Sequence, residues 1–316
     1  MQAITLLLAA STATAYTIVE ADLLMYKNID PVVMPGQYKS HLHTFFGSDS
    51  VTANTTTSAE LQKGCITAYN PNDFSSYWVP TLFTTTSNTY TPVPLNRFSA
   101  YYVSIENAEI AIPQNYKSVV GNAAATSQAA VEPLAGIQWF CEGDATETKD
   151  LAAFPTKTCS THLQTLLLFH DCVNPTTLES TYSGTQHWTT TFKPANRCPA
   201  GMKRMPQLRF SIRYDLRNAL PNGWSGAAPL ALACGSSYCS HGDFINGWLP
   251  EAAENMLLAN DKREFAAVTG PNGGDADAAV CKTAKDKEPT KGTSDYLTSV
   301  KMMGKRALGR FDRRFA

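Results

Sequence analysis

Apolar and polar positions alternate most strictly between Leu208 and Leu216. Leu208, Phe210, Ile212, Tyr214 and Leu216 are apolar, and Arg209, Ser211, Arg213 and Asp215 lie between them. A period of two gathers the apolar side chains on one face, as in a half-buried antiparallel strand. The runs Ser76 to Thr84, Phe98 to Ile105, Gly136 to Cys141 and Thr165 to His170 are short and rich in β-branched, aromatic or aliphatic residues, and they read as further strands. Turn signals at Asn70-Pro71, Pro221-Asn222-Gly223 and Asn272-Gly273-Gly274 separate such runs. Helical signal comes late. Pro250 opens a segment predicted to run to about Ala267, with Glu251 and Glu254 near its start, where carboxylates favour the helix dipole.

No internal repeat or interdomain linker interrupts this pattern. The expected fold is mainly β: a single antiparallel β-sandwich or jelly-roll-like domain with long loops, a C-terminal helical segment and several disulfides. Its expected span is 16–285. Beyond it, 286–316 carries Lys301, Lys305, Arg306, Arg310, Arg313 and Arg314, the composition of a solvated basic tail.

The first fifteen residues are read separately. Ala3 to Ala10 is apolar, and Ala13-Thr14-Ala15 has the small-x-small spacing of a cleavage site. An apolar run this short falls well below the roughly 20 residues that span a bilayer, so 1–15 is expected to be a signal peptide and the protein to be secreted. The eight cysteines then change meaning. An even count in an oxidising compartment predicts disulfides. Their pairing stays open, because eight cysteines allow on the order of a hundred connectivities. Asn54-Thr55-Thr56 is a glycosylation sequon, in keeping with export.

A formal net charge of −1 and 17% charged residues leave no basic footprint for nucleic acid. No apolar stretch predicts a membrane span, and a monomer is expected. The chain has no G-x-S-x-G, P-loop, H-E-x-x-H or G-x-G-x-x-G motif. Candidate chemistry therefore falls to histidine and carboxylate. In Ser40-His41-Leu42-His43, extended backbone would put both imidazoles on one side. That spacing serves two metal ligands or an acid/base pair, and equally an ordinary solvent face. The segment Ser240 to Trp248 places His241, Asp243, Asn246 and Trp248 among glycines. Asp243 there is suited to orienting His241, and Cys234 and Cys239 flank the segment. Tyr77, Trp78, Trp224 and Trp248 are candidates for stacking on sugar faces, against the competing account of core packing.

The strings Met34-Pro35-Gly36, Ser40-His41-Leu42-His43, Asp73-Phe74-Ser75-Ser76-Tyr77-Trp78-Val79-Pro80, Tyr101-Tyr102, Phe169-His170-Asp171-Cys172, His187, Cys198-Pro199, Pro206-Gln207-Leu208 and His241-Gly242-Asp243-Phe244-Ile245-Asn246-Gly247-Trp248 occur in that order. Together they resemble a secreted fungal family known as domain of unknown function nineteen-ninety-six, over roughly Asp30 to Trp248. The family pattern matches at His41, His43, His187, His241 and Asp243. It departs at Cys172-Val173-Asn174, where relatives carry a Trp and an Asp-Gly turn. His162 and His170 fall outside the pattern and are read as structural. The resemblance implies export but no activity.

The leading expectation is a carbohydrate-active lyase or hydrolase without a cofactor, acting on an extracellular polysaccharide or cell-wall glycan. His41, His43, His187, His241 and Asp243 would be catalytic, and Tyr77, Trp78, Asn246 and Trp248 would contact substrate. The alternatives are a zinc or copper protein with His41 and His43 as ligands, and a non-catalytic glycan-binding protein.

Overall fold

The computed structural model describes residues 16–86, 89–144, 150–184, 197–258, 268–288 and 291–303. Two five-stranded antiparallel sheets form a sandwich. The first contains β1 (Tyr16–Ala21), β7 (Leu95–Val103), β14 (Gln207–Tyr214), β10 (Leu163–Leu168) and β9 (Gln138–Cys141), in the order β1-β7-β14-β10-β9. The second runs β2 (Leu23–Lys27), β3 (His43–Gly47), β4 (Ser76–Pro80), β16 (His241–Ile245) and β8 (Lys117–Gly121). Two three-stranded sheets flank them. One is β15 (Leu230–Leu232), β5 (Leu82–Thr86) and β6 (Thr89–Pro92); the other is β12 (Ser180–Thr181), β11 (Cys172–Val173) and β13 (Lys203–Arg204).

Aromatic side chains fill the space between the two large sheets. Phe46 stacks on Phe98 with ring centroids 3.9 Å apart, and Tyr77 meets Phe210 at 5.7 Å. Such pairs add about 1 kcal/mol each beyond the apolar area they bury. The predicted strand at Leu208 to Leu216 is β14, the central strand of the first sheet, with Phe210 level with Ala100 and Leu167. Its polar face is covered more than a half-buried strand requires. The Arg209 guanidinium lies 4.1 Å over the Tyr101 ring, and Arg213 pairs with Glu142.

The run Ser76 to Thr84 divides. Thr81 leaves the second sheet and bonds instead to Leu42 and Ala233, so β4 and β5 enter different sheets. The helix predicted over 250–267 appears as α2 (Pro250–Leu257), and 259–267 lies outside the described residues. A short α1 (Ser58–Leu61) is closed by a capping box between Thr57 and Glu60.

The segment from residue 286 is packed where it is described, although Lys301 is exposed. Glu288 is buried, and α3 (Tyr296–Met303) packs Tyr296 and Val300 against Leu42, Phe83 and Ala233. Apolar residues interleaved with the early basic positions give the segment a face to bury. Arg306, Arg310, Arg313, Arg314 and Lys305 lie outside the described residues, as do residues 1–15.

All eight cysteines pair: Cys65–Cys281, Cys141–Cys159, Cys172–Cys198 and Cys234–Cys239. Among the described residues no helix is long and apolar enough to cross a membrane.

Candidate functional site

The site lies on the outer face of the second sheet, away from the inter-sheet core. Strand alternation explains this. In β16, Phe244 joins the core while His241, Asp243 and Ile245 point outward. Gly242 faces the first sheet, where a Cβ would come within 2.6 Å of Leu167 and 3.1 Å of Phe169. A side chain at 242 would push the strand off its neighbour, so a glycine separates the two functional residues.

In β3 the same alternation sends Phe46 inward and His43 and Phe45 outward. His43 lies level with Pro80 on β4, and Asp243 lies level with Trp78 on the same strand. Continuing that register two residues brings His241 level with Pro80, on the opposite side of β4 from His43. His41 arrives from the segment before β3, with its ring centroid 4.2 Å from that of His43. Between them Leu42 turns the other way, against α3.

Three imidazoles therefore converge. The Nε2 atoms of His41 and His241 are 3.1 Å apart, and those of His43 and His241 are 3.4 Å apart. One ligand nitrogen from each ring lies within 4.8 Å of the others. A tetrahedral zinc site with Zn–N near 2.0–2.1 Å has nitrogens about 3.3–3.4 Å apart, by geometry from the usual bond length.

The tautomers of two rings are fixed by their other nitrogens. His43 Nδ1 is 2.9 Å from the Ile29 carbonyl oxygen, and His241 Nδ1 is 2.7 Å from that of Cys239. A carbonyl oxygen only accepts, so both Nδ1 atoms carry hydrogens and both Nε2 atoms present lone pairs. Two lone pairs facing each other across 3.4 Å repel unless a cation lies between them. A proton is a poor candidate for that cation. Burial pushes all three imidazoles toward the neutral form: His241 falls to about 4, and His41 and His43 fall well below the ordinary value, with the neighbouring imidazoles adding to burial. Neutral rings locked through Nδ1 onto carbonyls are what metal coordination requires.

Asp243 adds a carboxylate. Its Oδ2 lies 4.0 Å from His241 Nε2, its side chain is fully buried, and neither oxygen has a hydrogen-bond partner among the described residues. Burial first, and then the charge of Asp30, push its carboxyl well above the usual range. An unpaired buried acid is costly, and a cation beside His241 would relieve it. The donor set present fits a first-row transition metal.

The surroundings hold these groups in place. The Cys234–Cys239 disulfide anchors the residue whose carbonyl meets His241. Ser240 receives the indole N–H of Trp139 at 2.9 Å and donates to the Ser237 carbonyl at 2.8 Å. A cavity of about 900 Å³ opens onto His41, His241 and Asp243.

The structure brings together His41, His43, His241 and Asp243. His187 lies outside the described residues. The four proposed sugar contacts are corrected, for none offers an exposed face. Tyr77, Trp78, Asn246 and Trp248 are fully buried. Tyr77 and Trp248 both bond to the Tyr102 hydroxyl, at 2.7 and 2.9 Å. Trp78 stacks on Phe45 at 5.2 Å, and Asn246 donates to the carbonyls of Ile112 and Pro113. Trp224 is partly buried, with its indole N–H given to Pro155. Asp30, which lines the cavity with its carboxylate capped by the amides of Val32 and Val33, was not singled out by sequence. An isolated Asp-Pro reads as a turn, and its position beside Asp243 depends on the fold.

Neither a search of curated proteins nor one of solved structures returned a match. The family model described as "Domain of unknown function (DUF1996)" matches residues 30–248, a span that contains His41, His43, His241 and Asp243. The chain belongs to that family.

Proposed function

We propose that this protein is an extracellular zinc protein in which His41, His43 and His241 hold the ion at the inner end of the cavity. The observation that carries this reading is the convergence of three Nε2 atoms, two of them committed as lone pairs by the carbonyls of Ile29 and Cys239. Three histidine ligands would be one short of the four that a structural zinc ion takes, as in catalytic zinc sites. A bound zinc ion there supplies Lewis acidity to an oxygen-bearing substrate or water. Asp243, whose Oδ2 lies 4.0 Å from His241 Nε2, would supply a carboxylate beside the ion. The reading thus keeps hydrolysis or elimination as the reaction class and moves the chemistry from free imidazoles to a metal centre.

A metal-free acid/base pair is supported less well. An orienting carboxylate belongs on the Nδ1 side of a catalytic histidine, yet here Nδ1 meets carbonyls and Asp243 lies beside Nε2. Export is supported by four disulfides and by the apolar N-terminal stretch.

The test is elemental analysis of protein made through an oxidising export route, equilibrated with equimolar zinc and desalted. About one zinc per chain is expected, falling severalfold or more in His43→Ala and His241→Ala variants that keep their unfolding transitions. Less than about a tenth of an equivalent in the native chain would sink the proposal, because three-ligand sites of this kind bind tightly. Copper taken up in competition with zinc would keep the site and change the ion, since imidazole suits both.

A further inference from the structure

The walls of the cavity are unlike those of a sugar-binding cleft. Beyond the histidine end they are formed largely by aliphatic side chains, among them Val33, Met34, Val119, Ala124, Leu230 and Met303. Phe154 is the one aromatic ring among the described lining residues other than the histidines, and the tyrosines and tryptophans suited to stacking on sugars are buried elsewhere. Stacking on a sugar face calls for an exposed aromatic ring that joins apolar area to a polar tip. A largely apolar open pocket of about 900 Å³ that also carries polar groups is the form of a small-molecule site. His41, His241 and Asp243 are joined in that lining by Asp30, Lys39, three serines and Thr126.

We infer that the substrate is a small molecule with an aliphatic body and an oxygen-bearing acyl head. The body occupies the wall made by Val119, Ala124 and Leu230, and the head reaches the three-histidine centre. The head's placement rests on the zinc reading; the body's rests on the cavity alone.

Straight-chain alkyl hydroxamates from two to eight carbons separate these two parts, because their heads chelate metal and their tails do not. Calorimetric titration is made against the zinc-equilibrated and the chelator-stripped protein, with gluconohydroxamate as the sugar-like comparison. Affinity for the zinc form is expected to rise about fourfold per added methylene until the tail fills the cavity, from about 0.8 kcal/mol per buried methylene. Gluconohydroxamate should bind more weakly than the longer alkyl compounds. The variant Ala124→Trp, at an exposed wall position remote in sequence from the ligands, should flatten the chain-length dependence and leave zinc content unchanged.

An affinity independent of chain length, or gluconohydroxamate binding as tightly as the octyl compound, would overturn the aliphatic assignment whatever the zinc content. Chain-length dependence that is equal with and without zinc would remove the metal from the picture and leave the aliphatic assignment standing. Binding to neither form would overturn both.

Discussion

Two fully buried carboxylates show how differently one residue type is accommodated in this sandwich. Asp73 accepts hydrogen bonds from the Tyr77 hydroxyl and the Ser75 amide, whereas Asp243 accepts none among the described residues. Asp73 belongs to a structural network that runs on through Tyr77 and Tyr102 to Trp248. Even so, burial outweighs its hydrogen bonds and lifts its carboxyl from 3.8 to about 6. The sign of the consequence follows from proton counting. Between about pH 4 and pH 6 the folded chain keeps a proton that the unfolded chain has released, so stability falls as pH rises through that window and is level above it. At about 1.4 kcal/mol per pH unit the fall approaches 3 kcal/mol. Asp73→Asn keeps an acceptor for Tyr77 and removes the charge. Urea unfolding midpoints from pH 4 to 7 should fall through the window in the native chain and fall less in the variant. Parallel profiles would show that Asp73 does not titrate there.

At the scale of elements, strand alternation accounts both for what could be read from sequence and for what could not. The spacing of His41 and His43, and of His241 and Asp243, announces shared faces, because period two is a local property. The meeting of the two pairs is not local. It depends on β4 lying between β3 and β16, across about 200 residues of chain, and no periodicity encodes that order. Burial of Trp248, the core-packing alternative, is hidden from sequence for a related reason. Trp248 stands beside a glycine, as an exposed loop residue does, but Gly247 is there because a Cβ would come within 2.3 Å of the Phe74 backbone. The Cys234–Cys239 bond is another pairing that sequence leaves open, and its consequence is specific. It fixes the carbonyl that sets the tautomer of His241. Replacing both cysteines with serine should leave the sandwich folded and weaken zinc binding about 10- to 100-fold, the usual effect of losing a partner that orients a ligand. Competition with a chromophoric chelator measures this. An unchanged affinity would show that the carbonyl is held without the disulfide.

Over the whole molecule, the segment from Cys281 to Met303 acts as a strap across the face that carries the histidines, although it lies beyond the 30–248 span of the family match. It is tied at one end by Cys65–Cys281 and along its length by Lys27–Asp286. Glu288 accepts from the Tyr38 hydroxyl at 2.6 Å and from the buried Ala53 amide at 2.7 Å. Asn28 exchanges hydrogen bonds with the backbone of Thr293, one residue before the Ile29 carbonyl that fixes His43. Further on, Tyr296 stacks on Tyr90, meets Phe83 at a tilt and, with Val300, lies against Leu42, the residue between the two histidines. The strap thus touches both sides of the His-Leu-His segment without supplying a ligand. Removing the Glu288 carboxylate leaves the Ala53 amide buried and unpaired, which costs about 1–3 kcal/mol. Glu288→Ala should therefore lower unfolding stability by that amount and also weaken zinc binding, because Asn28 and Ile29 lose part of their support. Lys301→Ala, at an exposed position of α3, should change stability by less than about 0.5 kcal/mol and leave zinc affinity alone. If Glu288→Ala is destabilised with native zinc affinity, the strap stabilises the fold but does not position the site. If neither quantity moves, the segment is not the clamp that its contacts describe.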